Sequence, residues 1–148
     1  MEVDYIVLAD AAAAVEGKHY IHGAGWDTIF AGSFPVQHPS MAVAVRLRIP
    51  WTATNQPHSL ELDLIDADGA SILPDPPGVV KGDINVGRPP HLSPGDDQVV
   101  CLVFNLLGLQ FERAGTYSVV FRIDGSEEGR QTFRLVALGG QAVRQADT

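Results

Sequence analysis

Apolar and polar residues alternate one for one through much of this chain. In "MAVAVRLRIP", Met41, Val43, Val45, Leu47 and Ile49 fall on one side, and Ala42, Ala44, Arg46 and Arg48 on the other. That period of two is the mark of a strand; a helix would carry Arg46 into the apolar stripe, and Val and Ile favour sheet. "LELDLIDADG" repeats the pattern, with Leu60, Leu62 and Leu64 inward and Glu61 and Asp63 toward water. Asp68-Gly69 supplies the turn that ends it. "ASIL" reads as a short return strand. "VVKGDINV" reads as a short edge strand inside a loop-like stretch punctuated by Pro89-Pro90 and Pro94-Gly95. "QVVCLVFNLLGL" is apolar on both faces, which predicts a central strand covered on both sides.

The C-terminal "AGTYSVVFRIDGSEEGRQTFRLVAL" predicts a hairpin. Tyr117, Val119, Phe121 and Ile123 form one face, answered by Phe133, Leu135 and Ala137 across the turn "DGSEEG". Val3 to Gly25 predicts another, turning at "EGK", with Ala11–Ala14 as the place where a helical turn competes. No segment carries the ten or so amphipathic residues of a βαβ crossover. The fold class is therefore all-β, an antiparallel β-sandwich of about seven to eight strands, immunoglobulin-like or C2-like. A chain of 148 residues fits one domain. The sandwich is placed at residues 1–138, and the aperiodic 139–148 is a flexible tail.

Two resemblances bear on this. "AGTYSV" resembles the Gly-x-Tyr entry to the penultimate strand of immunoglobulin-like and fibronectin-like sandwiches, where a tyrosine bonds back to upstream backbone; the resemblance gives that role to Tyr117. Taken whole, the chain resembles an uncharacterised family of small bacterial proteins with a "GGGWD"-like segment, then "SFPVxHPS", an alternating strand and "VPWxxxN". The matching residues are Gly23 to Asp27, Ser33 to Ser40 and Ile49 to Asn55, with Ala24 in place of the middle glycine. That resemblance implies no activity.

A formal net charge of −8, with Lys and Arg scattered singly, argues against nucleic acid and against anionic membrane surfaces. The N-terminus lacks a basic leader and no run approaches a membrane span, so a cytoplasmic location is expected. Cys101, the single cysteine, lies in "VVCLVF" and reads as a buried, inert thiol. No nucleophile elbow, Cys/His pairing or phosphate loop is present, and no enzymatic activity or cofactor is expected.

"GAGWDTIFAGSFPVQHP" is the one stretch without a period. As a recognition loop it would use Trp26 and Phe34 as anchors and Asp27 and His38 as a polar rim, with Trp51 as a further aromatic candidate. As a corner between sheets it would use Gly23 and Gly25 for backbone freedom and Trp26 as a plug. Asp27 would then cap one helical turn. The residue types favour the corner. His19, His22, His38, His58 and His91 read as ordinary surface histidines. Asp66, Asp68 and Asp124 would form a calcium site only if their turns met at one end; a solvated hairpin tip is the simpler reading.

The expected function is thus protein–protein contact, with a second copy of the chain or a larger bacterial assembly as partner. A calcium- or carbohydrate-binding sandwich is the alternative. Ala42, Ala44, Ile65, Val120, Val136 and Leu138 supply the expected apolar outer faces.

Overall fold

The computed structural model describes residues 1–76 and 78–138, so the predicted tail at 139–148 lies outside the described residues. Among these, strands β1 (Glu2–Val15), β2 (Lys18–Ala24), β4 (Val36–Ile49) and β7 (Gln98–Phe111) form one sheet in the order β2-β1-β4-β7. Strands β3 (Thr28–Ala31), β5 (Pro57–Ile65), β6 (Val80–Asn85), β8 (Gly115–Ile123) and β9 (Ser126–Ala137) form the other, in the order β3-β9-β8-β5-β6. A single 3-10 turn, Trp51–Ala53, leads out of β4.

The two hairpin turns follow from their residues. Glu16-Gly17 and Asp124-Gly125 have φ of 52° and 73°, and of 50° and 84°. Positive φ at both central positions is the turn whose twist matches the flanking strands. "ASIL" contributes one bridge, Ser71 to Ile65, and no strand. The alternating residues meet between the sheets: Met41, Val43, Val45, Leu47 and Ile49 from β4, Leu60, Leu62 and Leu64 from β5, and Tyr117, Val119, Phe121 and Ile123 from β8 are all buried. Gly129 of β9 lets the sheets close: a Cβ there would lie 2.7 Å from Ile6 Cδ1 on β1. Tyr117 Oη donates to the Arg113 carbonyl at 2.6 Å, a bond from the start of β8 back to the preceding connection.

Further expectations change. Cys101, expected to be buried, is half-buried, and Asp63, expected toward water, is buried. The corner stretch contains an additional strand, β3, which runs parallel to β9, and Asp27 precedes this strand and caps no helical turn. Ala11–Ala14 is strand throughout. Strand β7 is an edge, with β4 on one side only; its outer face is apolar for a different reason. Beyond Ala9, β1 leaves β4 and pairs with β2, and this hairpin curls over the outer face of its own sheet until β2 reaches β7. Ala42 and Ala44, expected toward solvent, are buried there at 1% and 0% exposure. Ile65 and Val120 are buried on the other sheet, Val120 in register between Asp63 and Arg130. Val136 and Leu138 are half-buried. The expected apolar outer patch is thus largely absorbed into the chain's own packing.

His19 latches the curled hairpin. Leu102 of β7 offers only a carbonyl, so His19 Nε2 donates to it at 2.9 Å, and Nδ1 accepts from the Tyr5 hydroxyl at 2.7 Å. Burial, then the neighbouring Cys101, pushes the Tyr5 phenol above its ordinary range. His19→Ala leaves two partly buried groups unpaired, a loss of about 1–3 kcal/mol. Amide exchange should rise across β2 and stay unchanged in β8; uniform protection in both would show that the hairpin does not depend on this latch.

Candidate functional site

The predicted site residues divide between the two ends of the sandwich. At one end Phe111 of β7 meets Tyr117 edge-on at 4.9 Å and Phe133 at 6.0 Å, tying the sheets together. Trp26 packs edge-on against Phe133 at 6.2 Å and donates its Nε1 proton to the Gly23 carbonyl at 2.8 Å. His38 lies over the edge of Phe111, and Phe34 packs on the core two residues before Val36, which pairs with Phe111. These three aromatic groups are half-buried lids on the core. Asp27 is exposed and accepts from the Thr28 hydroxyl and from Arg134 Nη2 at 2.9 and 3.3 Å. Those partners, Thr28 first, hold its carboxyl below the usual range.

Trp51 sits at the opposite end, with the Arg88 guanidinium 3.9 Å over its ring. Arg88 also donates to Thr54 Oγ1 and the Trp51 carbonyl. One face of the Trp51 ring therefore carries a cation.

The three aspartates do not converge. Asp66 folds into its own turn, accepting from the Asp68 and Ala70 amides, and Arg113 pairs with both Asp66 and Asp68. Asp124 is at the other end of the β5–β8 pair, where it accepts from the Ser59 amide at 2.9 Å. Register separates the ends: Ile65 pairs with Ser118, but Leu60 with Ile123. Among the described residues no three His, Cys, Asp or Glu side chains are grouped to hold a metal.

Two further histidines are more constrained than surface groups. Nδ1 of His58 lies 2.8 Å from the Asp124 carboxylate and Nε2 2.8 Å from the Ala53 carbonyl. Facing two acceptors favours the imidazolium, so Asp124 first and the Ala53 carbonyl second raise its pKa. The Asp124 carboxyl is correspondingly lowered, by His58 and then Ser59. His38 is shifted the other way by burial.

The signs differ accordingly. Stability from His58 is complete below about pH 6.5 and disappears as pH rises through its raised folded value. Asp124 contributes above about pH 3.9, a share lost as pH falls through its lowered value. The pair is therefore strongest between those limits, whereas His38 contributes above about pH 6.5 and loses that as pH falls. In a proton NMR titration the His58 midpoint should lie above that of His38. The reverse order would contradict the pairing.

The side of the sandwich where both sheets end, at β6 and β7, was not anticipated. There Leu73, Pro74, Gly78 and Val80 face Leu106 and Leu109 across a groove of about 260 Å³. Leu107 stands at its rim, 66% exposed. The run of apolar residues at 99–109 was visible in the sequence, but nothing in it distinguishes an open edge from a covered interior strand.

Two packed sheets with a continuous apolar core define an all-β sandwich, and no helix among the described residues is long and apolar enough to cross a membrane. The chain belongs to a family of unknown function, DUF6941, whose model matches residues 4–136. A search of curated proteins gave no match. Among solved structures, the chain is similar to a β-glucuronidase from glycoside hydrolase family 2, at 19% identity and a TM-score of 0.39, over 69% of this chain and 10% of that one. It is also similar to Pseudomonas fluorescens alkylpurine DNA glycosylase AlkC bound to DNA containing an abasic site analog, at 10% identity and a TM-score of 0.39, over 89% of this chain and 30% of that one. The chain thus spans well under two thirds of the length of either protein.

Proposed function

We propose that the protein is a non-catalytic, immunoglobulin-like contact module of the cytoplasm that binds another protein surface through the open β6/β7 side. The immunoglobulin-like reading rests on connectivity. The run β9-β8-β5-β6 follows the G-F-C-C′ order, β1-β4-β7 follows A-B-E, and Tyr117 makes its bond at the start of the strand corresponding to F. A single free thiol suits a reducing compartment.

The observation that carries the contact reading is the groove with Leu107 exposed on its rim. Groups that could serve chemistry elsewhere are engaged in holding the fold: both ring nitrogens of His19 and of His58, the Asp66 carboxylate and the Arg88 guanidinium. An apolar groove flanked by an exposed leucine is the kind of surface that gains most from being covered.

Native mass spectrometry on the protein gently isolated from its source cells tests this. A stoichiometric complex is expected with the natural chain and with Phe30→Lys, which alters the exposed side chain of β3, and is expected to be lost with Leu107→Lys. A complex that survives Leu107→Lys unchanged would overturn the assignment of this surface.

A further inference from the structure

We propose that a cleft on the β1/β9 side of the sandwich binds one uncharged sugar or cyclic polyol ring, packed on Trp26 and hydrogen-bonded by Gln131 and Asp27. This cleft lies across the sandwich from the β6/β7 groove, and the proposal does not depend on the contact reading.

The cleft exists because β2 stops short. Strand β2 covers β1 only as far back as Ala9, which pairs with Ala24, and the chain then crosses to the other sheet through Gly25, Trp26 and Asp27. Ahead of Ala9, β1 has β4 on one side and, among the described residues, no strand on the other. Across from it, β9 is joined by β3 only from Arg134 onward. Ile6 to Leu8, the crossing segment and Gln131 thus border a cleft of about 270 Å³. Pockets for larger organic ligands run from about 300 to 1,000 Å³, so this one suits a single ring.

Gln131 is out of place for a structural residue. It pairs with the buried Val119, in the row of β9 that carries Phe133 and Leu135 into the core. An apolar side chain is expected there, yet an amide lines the cleft. Its Nε2 reaches the Thr132 carbonyl at 3.4 Å, a long bond, and among the described residues no group donates to its Oε1. Asp27 has capacity to spare as well: a carboxylate has about four acceptor sites, and Thr28 and Arg134 use two. Strand β1 adds main-chain groups. Successive residues of an antiparallel strand turn their amide and carbonyl to alternate sides, so at least one of Ile6, Val7 and Leu8 turns both away from β4.

The ligand class follows from these groups. Donors and acceptors are mixed around one small space, which matches hydroxyl groups, each able to give and to accept. The charge of Asp27 is matched by Arg134, so an ionic ligand finds no unpaired counter-charge there. Trp26 contributes its ring, because its Nε1 proton is already held by the Gly23 carbonyl. With Ile6 and Val7 that ring forms a carbon wall, and the negative face of an aromatic ring attracts the weakly positive C–H groups of a sugar.

An NMR titration of the isotope-labelled full chain with D-glucose, D-galactose, D-mannose and myo-inositol, each to about 100 mM, tests this. At least one should bind saturably, with a Kd of about 1–10 mM. The Trp26 indole and Gln131 side-chain amide signals should move, and the Trp51 indole should not. Gln131→Leu and Asp27→Asn, with backbone spectra otherwise like the natural chain, should each weaken binding by about fivefold or more, as expected for a lost hydrogen bond. D-Glucuronate, whose charge the cleft does not match, should bind more weakly than D-glucose. Shifts that fail to saturate with all four compounds overturn the proposal, as do shifts centred on Trp51 or unchanged in both variants. Tighter binding of D-glucuronate overturns the uncharged class. Leu107→Lys should bind as the natural chain does, so this proposal and the contact reading fail separately.

Discussion

Phe111→Ala should lower the free energy of unfolding by about 3–5 kcal/mol, a large part of the roughly 5–15 kcal/mol that holds a domain of this size together. Phe111 is fully buried and is the residue of its sheet that meets both Tyr117 and Phe133 from the other. Removing the ring takes away apolar burial and leaves a cavity where the half-buried Trp26 and His38 rest on the same cluster. Urea unfolding at equilibrium is the measurement, with the slope against denaturant unchanged. A loss below about 1 kcal/mol would mean that neighbouring rings refill the space and that the aromatic cluster does not govern how the sheets are joined.

Val120→Glu should be about as damaging, at about 3–5 kcal/mol, and should show first as loss of soluble protein. By alternation alone Val120 belongs to a solvent face. In the fold it has 0% exposure and stands beside the buried Asp63, whose carboxylate accepts from Ser71 Oγ at 2.6 Å and from the Leu64 amide. A second carboxylate there is desolvated next to a like charge. Leu107→Lys, also in a strand, should change stability by no more than about 0.5 kcal/mol because the side chain already reaches water. Near-natural stability for Val120→Glu would show that this sheet face opens to solvent.

The contrast between those positions marks how far the sequence could be read. Period two correctly assigned the inward faces of Met41 to Ile49, of Leu60, Leu62 and Leu64, and of the β8–β9 hairpin up to Leu135, because each lies against the core and the pattern is a direct trace of that contact. Asp63, expected toward water, is buried, and Ala137, expected inward, is exposed. The glycine-containing turns and the Tyr117 bond depend on neighbours in sequence, and they too were legible. What alternation cannot convey is whether the second face of a sheet is covered, since that is decided by distant segments. Ala42 and Ala44 are small enough to fit beneath a hairpin made of residues 9–24, a relation that no local window contains. The same limit turned β7 from an expected central strand into an edge. His19 looked like a surface residue because its partners, Tyr5 and Leu102, are 14 and 83 residues away. For the site, the residues singled out for their chemistry proved to be lids and ion pairs, and the groove is built from aliphatic side chains that composition alone does not set apart.

The parallel pairing of β3 with β9 has a consequence for how the protein is made. Thr28 waits for Arg134, 106 residues later, and without β9 the strand β3 has no neighbour in its sheet. Gly129, which lets β1 approach the opposite sheet, belongs to the same late strand. At about 5–20 residues per second the ribosome needs several seconds to bridge that gap. Throughout that interval β1 and β3 are outside the exit tunnel with their apolar faces unmatched. Glu2, Asp4, Asp10, Glu16 and Asp27 all fall in that early stretch, where like charges oppose self-association of unpaired strands.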